Sequence, residues 1–448
     1  MKYKLPLSPR KRLKYIFDTV TNDRIRKSIL EAIPFWIAAL LTGLAAVAYT
    51  QLFNIAEDLL RHVWNWQRWS IFIFAPLSFL TAWLIVRLFA KNAGGSGIPQ
   101  VMAAIDLSAT KYENKLSKLL SPRILLTKIA SSLFMVFGGG AIGREGPTIQ
   151  IAGSIFSTIN KLIPNSWPKL SQRSFILTGA ASGLAAAFNT PLGGIVFAIE
   201  ELAKIHISLF RTALFTSVII AGLAAQAILG PYLYLGYPNV KGLSALVFLG
   251  VIVVAIVAGM CGAAMCKIIL KILEWKRTLT NTQTIIYIIA IGFVIAAAAY
   301  FVDSSILGSG KELMNDTLFT DDKYVSGQTL LMRIFGPILS FTVGGAGGIF
   351  APSLSAGASI GSVLAQVFHF ADANDNMLIL SGMVGFLTGV TRTPFTSAIL
   401  VLEMTDRHSV IFYLMLSALV SNIAALVIAR KSFYEQLKHV YMDDIKKQ

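Results

Sequence analysis

Apolar residues run for the length of a membrane-crossing helix, without two-residue alternation, at 71–89, 244–274, 284–302 and 409–429. Hydrocarbon holds no water to satisfy backbone N–H and C=O groups, so a chain there closes its hydrogen bonds within helices or around a barrel. Barrel strands need about 10-residue segments that alternate in polarity, and these runs do not alternate. About 20 apolar residues cross a bilayer as a helix. With 55% of its 448 residues hydrophobic and 14% charged, the chain has material for on the order of ten or more spanning or partly spanning helices. The fold class expected is an all-α polytopic membrane protein.

The formal charge of +16 is concentrated in the ends and loops. Residues 1–27 carry nine Lys or Arg against two Asp, and the tail is basic again at Arg430, Lys431, Lys438, Lys446 and Lys447. Basic flanks of apolar spans mark the cytoplasmic side, so both termini are expected in the cytoplasm and no nucleic-acid partner is needed to explain the charge. The first apolar run, 35–49, starts too far from the N-terminus for a cleavable signal. The layout expected is a basic segment at 1–27, a first transmembrane repeat at 28–230, a linker at 231–243, a second repeat at 244–430 and a short tail at 431–448. A long helix is expected over 29–60, a helix near 151–162 and a polar loop over 303–324.

Charge also appears where it is least welcome. Residues 138–150 read GGGAIGREGPTIQ, with Arg144 and Glu145 set between glycines in apolar surroundings. An ionisable residue at the bilayer midplane costs roughly 2.5–3.5 kcal/mol on insertion scales and normally marks a pathway, a relay or a buried pair. Three breaks share a pattern of glycine, variable residues and a helix-starting proline: GSGIP at 95–99, GREGP at 143–147 and GIFAP at 348–352. Helix N-termini carry unpaired N–H groups and roughly half a positive charge, so several of them converging make an anion site without a full cation. Ser96 adds a hydroxyl donor, Ile349 and Phe350 add backbone N–H groups, and the Phe350 ring narrows the passage. An ionised Glu145 is itself an anion able to fill such a site, and a protonated one can leave, which links anion occupancy to protons.

A repeat underlies the breaks. Residues 178–201 (TGAASGLAAAFNTPLGGIVFAIEE) align without gaps on 381–404 (SGMVGFLTGVTRTPFTSAILVLEM), so that Thr190-Pro191 falls on Thr393-Pro394 and Glu200 on Glu403. Internal repeats are the mark of repeat-built transporters. A glutamate that both halves share is best explained by a structural need, such as holding a helix end. Glu201 falls on Met404 and has no such partner, which makes it the better functional candidate.

These motifs resemble the CLC chloride channel and transporter family, over about 29–434. The resemblance implies two inverted repeats with broken and re-entrant helices, in a homodimer with one pathway per subunit. It implies that Ser96 and Gly97 of GSGIP and the backbone of Ile349 and Phe350 bind the central anion, that Glu145 is the external gate and proton carrier, and that Glu201 passes protons from inside. A C-terminal tyrosine hydroxyl belongs on the same anion. Tyr434 matches best, and Tyr441 lies nearby. Family channels generally lack the inner glutamate, so Glu201 and Ser96 imply a chloride/proton antiporter of a bacterial inner membrane, the alternative being a passive chloride channel of the same fold.

Other chemistry is discounted. The GxGxxG at 138–143 and the GASIG at 357–361 follow no strand of an α/β pattern, and the five histidines stand singly. No cofactor or metal is expected, and no nucleophile and base converge as an enzyme would need. Arg144 is expected to be a structural partner, Lys128 either a tuner of local potential or a snorkelled or paired lysine, and Cys261 and Cys266 inert hydrophobes.

Overall fold

The computed structural model describes residues 23–164, 167–168, 170–203, 211–230, 233–368 and 372–447. The basic segment lies outside the described residues as far as residue 22. Among the described residues, two series of eight helices follow one another. The first comprises α1 (Asp23–Trp66), α2 (Ile71–Phe89), α3 (Ile98–Leu107), α4 (Pro122–Phe137), α5 (Glu145–Leu162), α6 (Gln172–Phe188), α7 (Pro191–Phe197, continued by a π turn at Ala198–Ala203) and α8 (Arg211–Leu229). The second comprises α9 (Val247–Lys276), α10 (Asn281–Phe301), α11 (Lys311–Phe319), α12 (Gly327–Thr342), α13 (Phe350–Phe368), α14 (Asp372–Thr391), α15 (Pro394–Thr405) and α16 (Ile411–Leu426), and α17 (Phe433–Lys447) ends the chain. Each helix matches the one eight places later, short against short and long against long. Among the described residues, seven helices are long and apolar enough to cross a membrane.

The helix ends follow local chemistry. Ser121 accepts the N–H of Ile124 ahead of Pro122, and Thr280 and Gln283 cap α10 reciprocally, which satisfies N–H groups that a helix start leaves open. Two expectations from the sequence need correction. The helix expected near 151 begins at Glu145, because Pro147 is tolerated in a first turn that needs no N–H from it. The loop expected over 303–324 contains α11, whose polar composition conceals a helix packed on α13.

Small residues let these helices pack closely, as is usual where lipid offers no hydrophobic drive between helices. A Cβ on Gly357 or Gly361 of α13 would run into the backbone of α14, and one on Gly259 or Gly262 of α9 would run into α16 or α14. Large apolar side chains such as Leu40, Leu52 and Ile55 of α1 stay exposed, as a lipid-facing surface requires.

The shared glutamates hold helix ends. Glu200 accepts the N–H groups of Phe395 and Thr396 at the start of α15, at 3.2 and 2.7 Å. Glu403 accepts those of Leu192 and Gly193 at the start of α7, at 3.1 and 2.6 Å. Each half thus caps a helix of the other. Replacing Glu403 by Ala leaves two N–H groups without their acceptor and is expected to lower stability by roughly 1–3 kcal/mol, read as earlier thermal unfolding in detergent.

Candidate functional site

The three breaks meet. Gly143 and Gly348 exchange backbone hydrogen bonds, both 2.8 Å, and Gly95 donates to Gly345 O at 2.8 Å while accepting from Gly347 N at 3.0 Å. Helices α3, α5 and α13 therefore start around one region, and their N-terminal partial charges add there. Glycine is required at Gly97, whose φ of +107° suits no other residue well and where a Cβ would collide with the carbonyl oxygen of Gly146. The N–H of Gly97 is engaged by Gln100 Oε1 at 3.0 Å, so what Gly97 contributes directly is room.

Ser96, Ile349, Phe350 and Tyr434 come together at this meeting point, and all four are buried. The Tyr434 hydroxyl faces that of Ser96, yet neither oxygen has a fully formed hydrogen bond. Two buried hydroxyls left short of partners amid apolar side chains are a costly arrangement unless a ligand uses them. The Phe350 ring lies nearly parallel to that of Tyr434, centroids 6.1 Å apart at 15°, and Phe188 and Phe197 flank it. Tyr441 sits elsewhere, with its hydroxyl 3.5 Å from Gly94 O. Burial, more than any neighbour, pushes that hydroxyl up to about 12, so it stays a donor to the break.

Glu145 is the first residue of α5 and 1% exposed. Its carboxylate faces its own N–H and that of Ala351 in the first turn of α13, at the junction of two helix starts. Tyr234 donates to Glu145 Oε1 at 3.4 Å, and Lys311 Nζ lies 4.7 Å from the Tyr234 ring centroid. Arg144 donates to Asn54 Oδ1 at 2.9 Å, with its charge near enough to act on the Glu145 carboxylate. Lys128, fully buried, donates to the carbonyls of Gly95 at 2.8 Å and Gly94 at 3.4 Å, which ties its charge to the GSG break. Glu201, 5% exposed, lies in the π turn after α7 and close enough to Tyr434 to act on it. Successive residues of a helical turn point in different directions, so Glu201 does not share the direction in which Glu200 caps α15.

Tyr234 and Lys311 were not legible as site residues. Tyr234 lies in a stretch of turn residues that reads as linker, and Lys311 in the segment that reads as loop. An aromatic that is 3% exposed amid turn formers gives no periodic signal to read.

Against known proteins, the model of the family described as voltage gated chloride channel matches residues 77–426. An H(+)/Cl(−) exchange transporter ClcA of Cronobacter sakazakii is 27% identical over 421 residues, covering 90% of this chain and 87% of that protein. The solved structure of a slow cyanobacterial Cl−/H+ antiporter superposes with a TM-score of 0.78 at 22% identity, covering 92% of this chain and 98% of that one. A CLC-type fluoride/proton antiporter does so with a TM-score of 0.76 at 18% identity and the same coverage. The fold is thus the one these structures share, with two inverted repeats and broken helices.

Proposed function

The chain belongs to the voltage gated chloride channel family, and from that premise we propose that it is a secondary active transporter that exchanges chloride for protons. The carrying observation is the position of Glu145, a carboxylate at the junction of the α5 and α13 starts. In this reading Ser96, Gly97, Ile349, Phe350 and Tyr434 surround the central anion. Glu145 is the external gate, occupying the outer anion position when ionised and carrying a proton when neutral. A chloride that displaces the carboxylate leaves it to take up a proton from outside, and the return of the gate releases chloride and proton in opposite directions. Glu201 exchanges that proton with the inner side. What supports that role is its burial and its place in the π turn, close to Tyr434.

The names of the similar proteins agree with exchange. A bacterial inner membrane, both termini in the cytoplasm, repeats at 28–230 and 244–430 and a homodimer with one pathway per subunit go with the reading. The test is flux in proteoliposomes. Chloride entering down its gradient is expected to drive protons out against an opposing proton gradient, read by an internal pH dye. Chloride movement with no proton signal at any pH would leave a passive channel instead.

A further inference from the structure

The break that carries Ser96 has a second copy that the aligned repeats do not reveal. Residues 308–310 read GSG, as 95–97 do, and the backbones agree: φ is +66° at Gly95 and +67° at Gly308, +107° at Gly97 and +83° at Gly310. Each GSG opens a helix, α3 in the first half and α11 in the second. Each is held from behind by a buried cation at matched positions. Lys128 donates to the carbonyls of Gly94 and Gly95, and Arg333 donates to those of Leu307 and Gly308, both at 3.1 Å. Ser309 is therefore the counterpart of Ser96.

The two copies differ in what faces the serine. Ser309 donates to Glu57 Oε1 from its hydroxyl at 2.9 Å and from its N–H at 3.4 Å. A carboxylate from α1 thus takes the place that an anion would take. Behind it, Gly310 lacks a Cβ that would collide with Ser355 Oγ and Arg333 Nη1. Ser355 is fully buried and its hydroxyl has no hydrogen-bond partner, nor has Arg333 Nε. In the first half Gln150 stands at the position of Ser355 and spends its amide on the carbonyls of Asn92 and Leu119. The shorter serine leaves its hydroxyl unmet beside the break. The surrounding cavity of about 960 Å³ is also lined by Asp58, Asp303, Glu312, Asp316 and Asp322, of which Asp303 accepts from Thr329, Asp322 from the N–H of Tyr324, and Glu312 pairs with Arg61. The same cavity is lined by Asn54, which holds Arg144, and by Lys311, which lies over Tyr234; both lead to Glu145.

We propose that Ser309, Gly310, Ser355 and Arg333 form a second binding site for a small monovalent anion of the halide class, in which the Glu57 carboxylate sits as a tethered competitor. The inference rests on reading the Ser96 break as an anion seat. Chloride reaching the outer cavity is taken up there only as Glu57 withdraws, within reach of the groups that surround the gate.

Crystals of the full chain and of its Glu57→Ala variant, soaked in bromide, test this by anomalous scattering. The expected result is a peak at Ser96 in both and a second peak at hydrogen-bond distance from Ser309 in the variant alone. Glu57→Gln, which keeps the side-chain volume and removes the charge, is expected to gain the same peak and serves if the alanine variant does not fold. A peak at Ser96 with none at Ser309 in either variant overturns the second site and leaves the reading of the first intact. A peak at Ser309 in the unaltered chain overturns the role of Glu57. A peak at Ser309 without one at Ser96 supports the second site and removes the first, and a soak that labels neither overturns both.

Discussion

Proteoliposomes carrying Glu145→Gln are expected to pass chloride without moving protons. The substitution keeps the side chain's size and removes the charge that makes it an anion. Glutamine at the junction of α5 and α13 has no negative charge to place against the converging helix starts, so it competes poorly with chloride for them, and it cannot take up a proton at any pH. Proton movement per chloride should fall more than about tenfold, which corresponds to about 1.4 kcal/mol in the barrier for the coupled step. Chloride should continue to dissipate its gradient, and its rate should lose its dependence on external pH. A variant that still drove protons uphill with an unchanged ratio would remove Glu145 from the role of gate.

Glu201→Gln separates the two halves of the process differently. The central anion position does not include the Glu201 carboxylate, so chloride flux should persist within a few-fold of the parent. Proton movement should vanish, because the one carboxylate left in the π turn, Glu200, is held by the N–H groups of Phe395 and Thr396 at the start of α15. External pH should still control chloride flux in this variant, since Glu145 is intact. That residual pH dependence distinguishes it from Glu145→Gln, and unchanged coupling would return Glu201 to a purely structural role.

Much of this was legible because the informative residues are expensive ones. Charged Glu145 in an apolar run, glycines flanking each break, and prolines at helix starts all violate the composition of an ordinary spanning helix. The gapless match of 178–201 on 381–404 separated Glu200 from Glu201, and the reciprocal caps on α7 and α15 give the physical reason for Glu200. The copy of the serine break at 308–310 escaped because Lys311 follows it where Ile98-Pro99 follows the first. Its spacing from the matched α4–α12 pair also differs by several residues. The signal was present in the repeated GSG and in Lys128 matching Arg333, but only the shared backbone conformation makes the two comparable. Tyr234 could not be read at all, since its contact with Glu145 depends on how a turn folds back in space.

The backbone hydrogen bonds between Gly143 and Gly348, and between Gly95 and residues 345 and 347, bear on how large a movement the cycle can use. They stitch the two halves together at the junction where α3, α5 and α13 start. Rocking one half against the other would break all four among largely buried residues, where each lost bond costs roughly 1–3 kcal/mol. The turnover they permit is one of side-chain rotation within a rigid frame, so the cycle proposed for Glu145 needs no domain swing that neighbours in the membrane would have to accommodate.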